Sequence, residues 1–507
     1  MKTVYSLLCF LLLFSALPQA SNAAEAIQYS DKVNVSIFLS NNFPIFLNGN
    51  YQLVNKDTNE ITVIPAKTTL TIKKDSSSMT VSYSGFNQKS TAGFDLQELS
   101  GTKKLAIFTM NTEMKRGAST DYDTVKVFNS GESADLLDSF TNSSGQVWYK
   151  VGDGNVTGWV PSTYVLLNDI TTLSLATVNN NRTYRGSFFL KPNGSQTELV
   201  NILDMEDYLK GVVPSEMPAS WPKEALKAQA IAARSYAANI MMLASTAASQ
   251  VYGGYSAEDP RTNEAIKETE GLLVKYNGKP IEAFFHSTSG GRTANVSDVW
   301  NSDQKYFPYL VSVDDPYESS QYSSWTKDFP ASSILKAFGF SSDTVLYDMA
   351  ITKSGTNQEV RGITVKTSNG DKTINGNESD IRKLFPLPDA NVYKMLYSNW
   401  FTLHMTKSQA DLSVQTSSGV SGMADLKGQM VQTSSGQIAI DSSNVSIQTA
   451  NGVMSSEGSG ISTITVTGKG WGHRIGMSQY GAKGFAEHGY TAEQILTHYF
   501  TGTTVEK

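Results

Sequence analysis

Glu216 stands between Pro214 and Pro218, directly ahead of an alanine-rich run that opens with Pro222. Two prolines leave the intervening backbone little freedom. A carboxylate held on a stiff loop against a helix is one way to aim a general acid. The alternative is a solvated glutamate in a surface turn, since exposed Glu is the rule. Of the five histidines, at 286, 404, 473, 488 and 498, two sit in Gly/Ser-rich segments rather than in regular elements. His286 opens HSTSGG beside Ser287, and His473 lies in GHRIGMSQ near Ser478 and Gln479. Hydroxyls, amides and imidazoles of this kind hydrogen-bond sugars. A serine hydrolase built from Ser287 or Ser289 with His286 lacks a GxSxG elbow, and adjacent side chains in an extended segment point apart. Gly468, Gly470, Gly472 and Gly476 mark a loop whose backbone can approach something closely. No GK[ST] follows them, so a phosphate-binding loop is excluded.

The elements that position these residues can be read from periodicity. Residues 25–100 alternate apolar and polar (VNVSIFL, ITVIPAKTTLTIKK, MTVSYSGF), which predicts antiparallel strands. Residues 120–168 again read as short strands, as do RTYRGSFFLKP and LVNILDM after Asn180. A helix is expected from Pro222 to Met242, with Ser220 as N-cap and alanines that permit close packing. On it Lys223 and Lys227 read as a solvated face, and Arg234, between Ala233 and Ser235, as a buried ion pair. Asn277-Gly278 between apolar runs signals a hairpin. VQTSSG at 414–419 and 431–436, with a degenerate IQTANG at 447–452, suggests a small hairpin array or a flexible insertion. Two short helices are expected after the glycine loop, around Met477–Phe485 and Glu493–Phe500.

Composition narrows the class. The 507 residues allow two or three domains. An apolar run from Val4 to Leu17 behind Lys2, closed by Ser21-Asn22-Ala23, reads as a secretory signal peptide. Its removal takes Lys2 and no acid, moving the net charge from −6 to −7. Such a chain is a poor partner for nucleic acid, and contact with any anionic polymer would have to be local and polar. Cys9 is the single cysteine and lies in the leader, so disulfides and Cys-ligated metal sites are excluded from the mature chain. No later run is long and apolar enough to span a bilayer.

Three blocks together resemble the SpoIID/LytB domain of bacterial cell-wall proteins. They are MEDYLKGVVPSEMPASWPKEALKAQAIAARSY (205–236), FFHSTSGGRTANVSDVW with YFPYLVSVDDP (284–300 and 306–316), and GKGWGHRIGMSQYGAKGFAEHGYTAEQILTHYFTGT (468–503). The spacing of Trp148, Tyr149, Gly158, Trp159, Val160 and Tyr164 is similar to that of a bacterial SH3-like domain. The resemblance implies an α+β protein: a SpoIID-like mixed α/β core at 180–507 with a Ser/Gly-rich repeat insertion at 409–460, a β-rich segment at 25–110, a small SH3-like β-barrel at 120–168, and a signal peptide at 1–23. It implies lytic transglycosylase chemistry on peptidoglycan glycan strands, with Glu216 as the catalytic acid/base. Substrate contacts would come from His286, Ser287, His473, Gln479, Tyr480 and Arg234. Trp148 and Trp159 would bind the wall, or else form barrel core. Some relatives place zinc near this region with Cys ligands absent here, so neither metal nor cofactor is expected. Partners would be glycan strands and a cell-wall amidase, for a protein secreted to the cell wall. A non-catalytic amidase enhancer and a wall-binding scaffold remain the rival readings, and sporulation is a natural setting for the family.

Overall fold

The structure, a computed structural model, describes residues 32–507 apart from 100–103, 155, 170–172, 180, 388–393, 408–411, 417–418, 424–427, 442–445, 450–451 and 456–459. The leader expected at 1–23, with Cys9, lies outside the described residues. The architecture is mixed, with strands and helices both contributing to the cores. No described helix is long and apolar enough to cross a membrane.

Period-two alternation builds the amino-terminal half. Strand Lys32–Ser40 buries Val33, Val35 and Ile37 on one face. It pairs antiparallel with Gln196–Asp204, so segments some 160 residues apart share one seven-stranded sheet. A six-stranded sheet runs from Thr183–Arg185 through Leu175–Val178, Asn42–Leu47 and Thr68–Lys74 to Phe86–Ser90. Both contribute to a single core that includes Phe43, Ile45, Leu53, Ile72, Phe94 and Phe188.

Residues 104–169 form their own seven-stranded sheet around Phe108, Met114, Phe128, Val151 and Val160. The expected strand Val147–Asp153 does meet the Gly158-Trp159-Val160 strand, with Lys150 opposite Trp159. The expected closed barrel is not formed. The terminal strands of the order, Thr124–Phe128 and Val165–Asp169, do not pair with each other. Phe108 and Phe128 stack at 4.1 Å, so the strands Lys104–Phe108 and Thr124–Phe128, which are not neighbours in the sheet order, meet through side chains rather than through a ladder.

Two helices hold the centre. Lys223–Ala237 ends five residues earlier than expected, and Pro222 rather than Ser220 occupies the N-cap. Its alanines serve two cores at once: Ala230 and Ala233 face the sheets, and Ala225, Ala228 and Ala232 face the carboxy-terminal helices. Arg234 makes the buried ion pair expected of it, with both Glu206 oxygens at 2.8 Å and the Leu272 carbonyl at 3.0 Å. Lys223 and Lys227 are engaged rather than merely solvated, bridging to Glu224, Glu264 and Glu268.

Asn277 and Gly278 take φ of 53° and 75° and join Leu273–Tyr276 to Lys279–Pro280, as a two-residue hairpin turn requires. A third core, built on Trp325–Pro330, Phe401–Lys407 and Ile461–Gly468 with the helix Ala331–Phe338, forms a separate lobe. Phe401–Lys407 pairs directly with Ile461–Gly468, so the repeat region leaves and re-enters at neighbouring strands. Within it lie three two-stranded hairpins, Leu412–Thr416 with Gly419–Met423, Met430–Thr433 with Gly436–Ala439, and Ser446–Thr449 with Gly452–Ser455.

Candidate functional site

Glu216 is not on a loop. It is the last residue of the helix Met205–Glu216, and Pro214 lies inside that helix's final turn. A proline there removes one backbone donor, which the end of a helix tolerates better than its middle. Met217 N–H closes the helix on the Val213 carbonyl, and Val212, Val213 and Met217 are fully buried around it. The half-buried Glu216 side chain reaches a cleft of about 730 Å³. Burial pushes its carboxyl up to about 7, although the Val251 N–H and the Gln479 amide favour the charged form. The Val251 N–H donates to Oε1 at 2.6 Å and Gln479 Nε2 to Oε2 at 3.3 Å. Gln479 Nε2 also reaches Gln229 Oε1 at 3.3 Å, which orients the amide. Replacing Gln479 with Leu removes a bond to the carboxylate, so the Glu216 titration is expected to move above 7. Carboxyl carbon NMR of the intact protein reads this directly, and a shift downward would contradict the assignment.

His286 and His473 line the same cleft with ring centroids 5.6 Å apart. Burial keeps both neutral, His286 well below its ordinary value and His473 at about 4. His286 Nδ1 lies 3.2 Å from the Ile475 carbonyl, an acceptor, so Nδ1 carries the proton. Its Nε2 is then an acceptor, and that atom has no partner among the described residues. His473 is the opposite tautomer, because its Nδ1 accepts from Ile475 N–H at 3.1 Å. The other His473 nitrogen is held by the Phe285 backbone, so of the two rings only His286 keeps a nitrogen without a partner among the described residues. The glycine loop makes this approach possible: a Cβ on Gly472, at φ 109°, would lie 2.9 Å from His286 Cβ, and one on Gly476 would collide with the Phe284 carbonyl.

Behind the cleft the HSTSGG segment is tied to buried acids. Ser289 Oγ donates to Asp315 at 2.8 Å, as does Tyr499 OH at 2.9 Å. Gly290 N–H and Ser478 Oγ each donate to Glu318 at 2.9 Å. Burial and the Glu318 charge raise Asp315 to about 7. Ser289 is thus committed to structure rather than to nucleophilic attack. Arg474, fully buried at φ 66°, donates to the Ser289 and Arg292 carbonyls at 2.9 Å, pairs with buried Glu359 at 3.3 Å and stacks over Trp400.

The third-core lobe supplies the facing wall through the short helix Glu378–Arg382, Lys383 and Trp471. Glu378 is bound to Arg382 at 2.7 Å. Of the residues expected at the site, Glu216, His286, Ser287, His473 and Gln479 meet in the cleft. Tyr480 and Arg234 do not line it. Tyr480 N–H holds the Ser287 carbonyl at 3.1 Å, and its ring packs on Trp221 at 4.8 Å. Trp148 is 2% exposed and internal to its sheet, whereas Trp159 is half-buried beside exposed Phe140. Sequence reasoning missed Val251, Gln229, Trp300 and Trp471. Gln229 was detectable as a lone amide in an alanine-rich helix, and Trp471 as an aromatic among glycines. Val251 acts through its backbone and leaves no sequence signal.

Known proteins share these segments. A family model described as Stage II sporulation protein, SpoIID, matches residues 193–276. The chain is 33% identical over 307 residues to the amidase enhancer of Bacillus subtilis, an alignment covering 59% of this chain and 40% of that protein. It is 29% identical over 333 residues to stage II sporulation protein D of Bacillus subtilis, covering 61% of this chain and 76% of that one. For stage II sporulation protein D of Bacillus amyloliquefaciens the identity is 28% over 331 residues, with the same coverage. The chain thus spans well under half the length of the amidase enhancer and about three quarters of the sporulation proteins. The matched family segment contains the Glu216 helix and the Lys223–Ala237 helix at the centre of the molecule, and over it this chain is similar to the SpoIID proteins.

Proposed function

We propose that this protein acts on the bacterial cell wall as a lytic transglycosylase that cuts peptidoglycan glycan strands, with Glu216 as its single acid/base. The observation that carries this reading is that Glu216 is the one uncommitted carboxyl among the described residues lining the cleft, and it titrates near neutrality. Glycosidases that use water or a protein nucleophile need two carboxyl groups. A mechanism with an internal nucleophile needs one. Neutral Glu216 holds one carboxyl proton. It passes to the glycosidic oxygen as the bond to C1 of the muramic acid breaks and an oxocarbenium-like centre develops. The resulting carboxylate, favoured by the Val251 and Gln479 donors, takes the proton of the C6 hydroxyl, whose oxygen closes on C1. One strand becomes a 1,6-anhydro end and a free hydroxyl end, and no water is consumed.

The walls suit a sugar. Trp300, Trp471 and Phe284 offer apolar faces, while His286 keeps an unpartnered ring nitrogen as an acceptor for a hydroxyl. This role places the protein outside the cytoplasm, where the leader read at 1–23 would direct it. In the 104–169 sheet, any wall contact would fall to Trp159 with Phe140 and not to Trp148. Mass spectrometry of purified glycan strands incubated with the protein is the test. Anhydro-ended products support the reading, and reducing-ended or uncut strands reject it. The likeness to a protein named amidase enhancer favours a second reading, a non-catalytic modifier of a wall amidase. That reading expects no product from the protein alone and faster digestion when an amidase is added.

A further inference from the structure

One charge in the cleft has no role in the chemistry described above. Glu378 and Arg382 neutralise each other, and Arg382 Nε is also engaged by the Leu396 carbonyl at 2.7 Å. Lys383, the next residue, lines the same wall and is exposed. Its ammonium has no hydrogen-bond or ion-pair partner among the described residues. Ser379, which also lines the cleft, precedes it by four positions, so the two share one side of the short helix. Among the described residues the wall across the cleft offers Ser249, Ser287 and the neutral histidines, and no cation. Lys383 is therefore the one unneutralised positive group among the described residues of the cleft, set in the lobe facing Glu216. A lysine ammonium is a mobile point charge with three donors, suited to a single carboxylate on a flexible arm.

Resting on the glycan-strand reading, we propose that Lys383, with the Ser379 hydroxyl, is the anion-recognition point of the cleft. It selects strands that carry a carboxylate beside the scissile sugar over neutral N-acetylhexosamine polymers. The carboxylate can belong to the lactyl ether of muramic acid or to a peptide stem attached there. Arg382 is excluded from this role by its partners, and the His286 and His473 rings by their neutrality.

Titration calorimetry on the full chain carrying Glu216→Gln, so that strands persist, tests the assignment. Four tetrasaccharide probes are compared: alternating N-acetylglucosamine and muramic acid with free lactyl carboxylates, the same with lactyl methylamides, the same with peptide stems, and an N-acetylglucosamine oligomer. A carboxylate-bearing probe is expected to bind about fivefold more tightly than the methylamide. Lys383→Gln should erase that difference without changing affinity for the neutral oligomer, and Lys383→Arg should retain most of it. The probe that loses affinity identifies which carboxylate is read. Equal binding of charged and methylamide probes, or a uniform loss in Lys383→Gln, overturns the Lys383 assignment and leaves the glycan reading standing. Failure of every probe to bind overturns the glycan reading and the assignment with it.

Discussion

Glu216→Gln is expected to lower the release of anhydro ends by about 10²–10⁴-fold while the protein stays folded. The amide keeps the shape of the neutral carboxyl and can still accept from Val251 N–H, but it has no proton to give. The parent activity should also fall as pH rises through about 7, where Glu216 loses its proton. Stability changes in the same window with a definite sign. The folded carboxyl titrates near 7 and an unfolded one near its ordinary value, so between these limits the folded state binds more protons. Raising the pH therefore destabilises the parent progressively across this window, and the penalty is complete above 7. Glu216→Gln escapes it. At pH 8 the variant should be more stable than the parent by about 2 kcal/mol, discounted because the carboxyl faces a wet cleft, and at pH 4 the two should coincide. Urea titrations at the two pH values measure this. A variant that is inactive and also less stable at pH 8 would assign Glu216 to structure.

Arg474→Met is expected to remove about 3–5 kcal/mol of stability, the largest loss among single changes near the cleft. Its guanidinium and Glu359 are both fully buried. Removing the cation leaves Glu359 with only neutral donors, Asn357 Nδ2 at 2.9 Å and Asn357 N–H at 3.2 Å. It also frees the Ser289 and Arg292 carbonyls, which hold the HSTSGG segment in place. Denaturant unfolding should show the loss. The double replacement with Glu359→Gln should recover part of it, because the uncompensated charge is then gone. An additive double mutant would mean that the pair is not coupled.

What could be read from the residues was mainly local. The alanines and Pro222 announced the central helix, Asn277-Gly278 its hairpin, and the spacing after Gly476 the final helices Gln479–Glu487 and Ala492–Tyr499. Three motif blocks carried most of the site. Placing Glu216 on a stiff loop between Pro214 and Pro218 gave Pro214 too much weight, because near a carboxy-terminal helix end the missing donor matters little. Non-local facts were out of reach. Nothing in the Lys32–Ser40 strand names Gln196–Asp204 as its partner, and nothing near Arg474 points to Glu359, 115 positions away. The facing wall at 378–383 has no local pattern tying it to Glu216. Nor could aromatic spacing decide the 104–169 unit, since the same tryptophans serve a closed barrel, an open curved sheet or a binding face.

The parallel bridge of Phe285–His286 to Met477–Ser478, and the contact of Gln479 with Glu216 263 positions earlier, have a temporal meaning. A chain emerging from the ribosome amino end first carries its acid long before any groove surrounds it. Until the 471–479 stretch arrives, that carboxyl lacks its Gln479 donor and the glycine-loop part of its cleft. On the proposed function, prematurely terminated copies would therefore be inert.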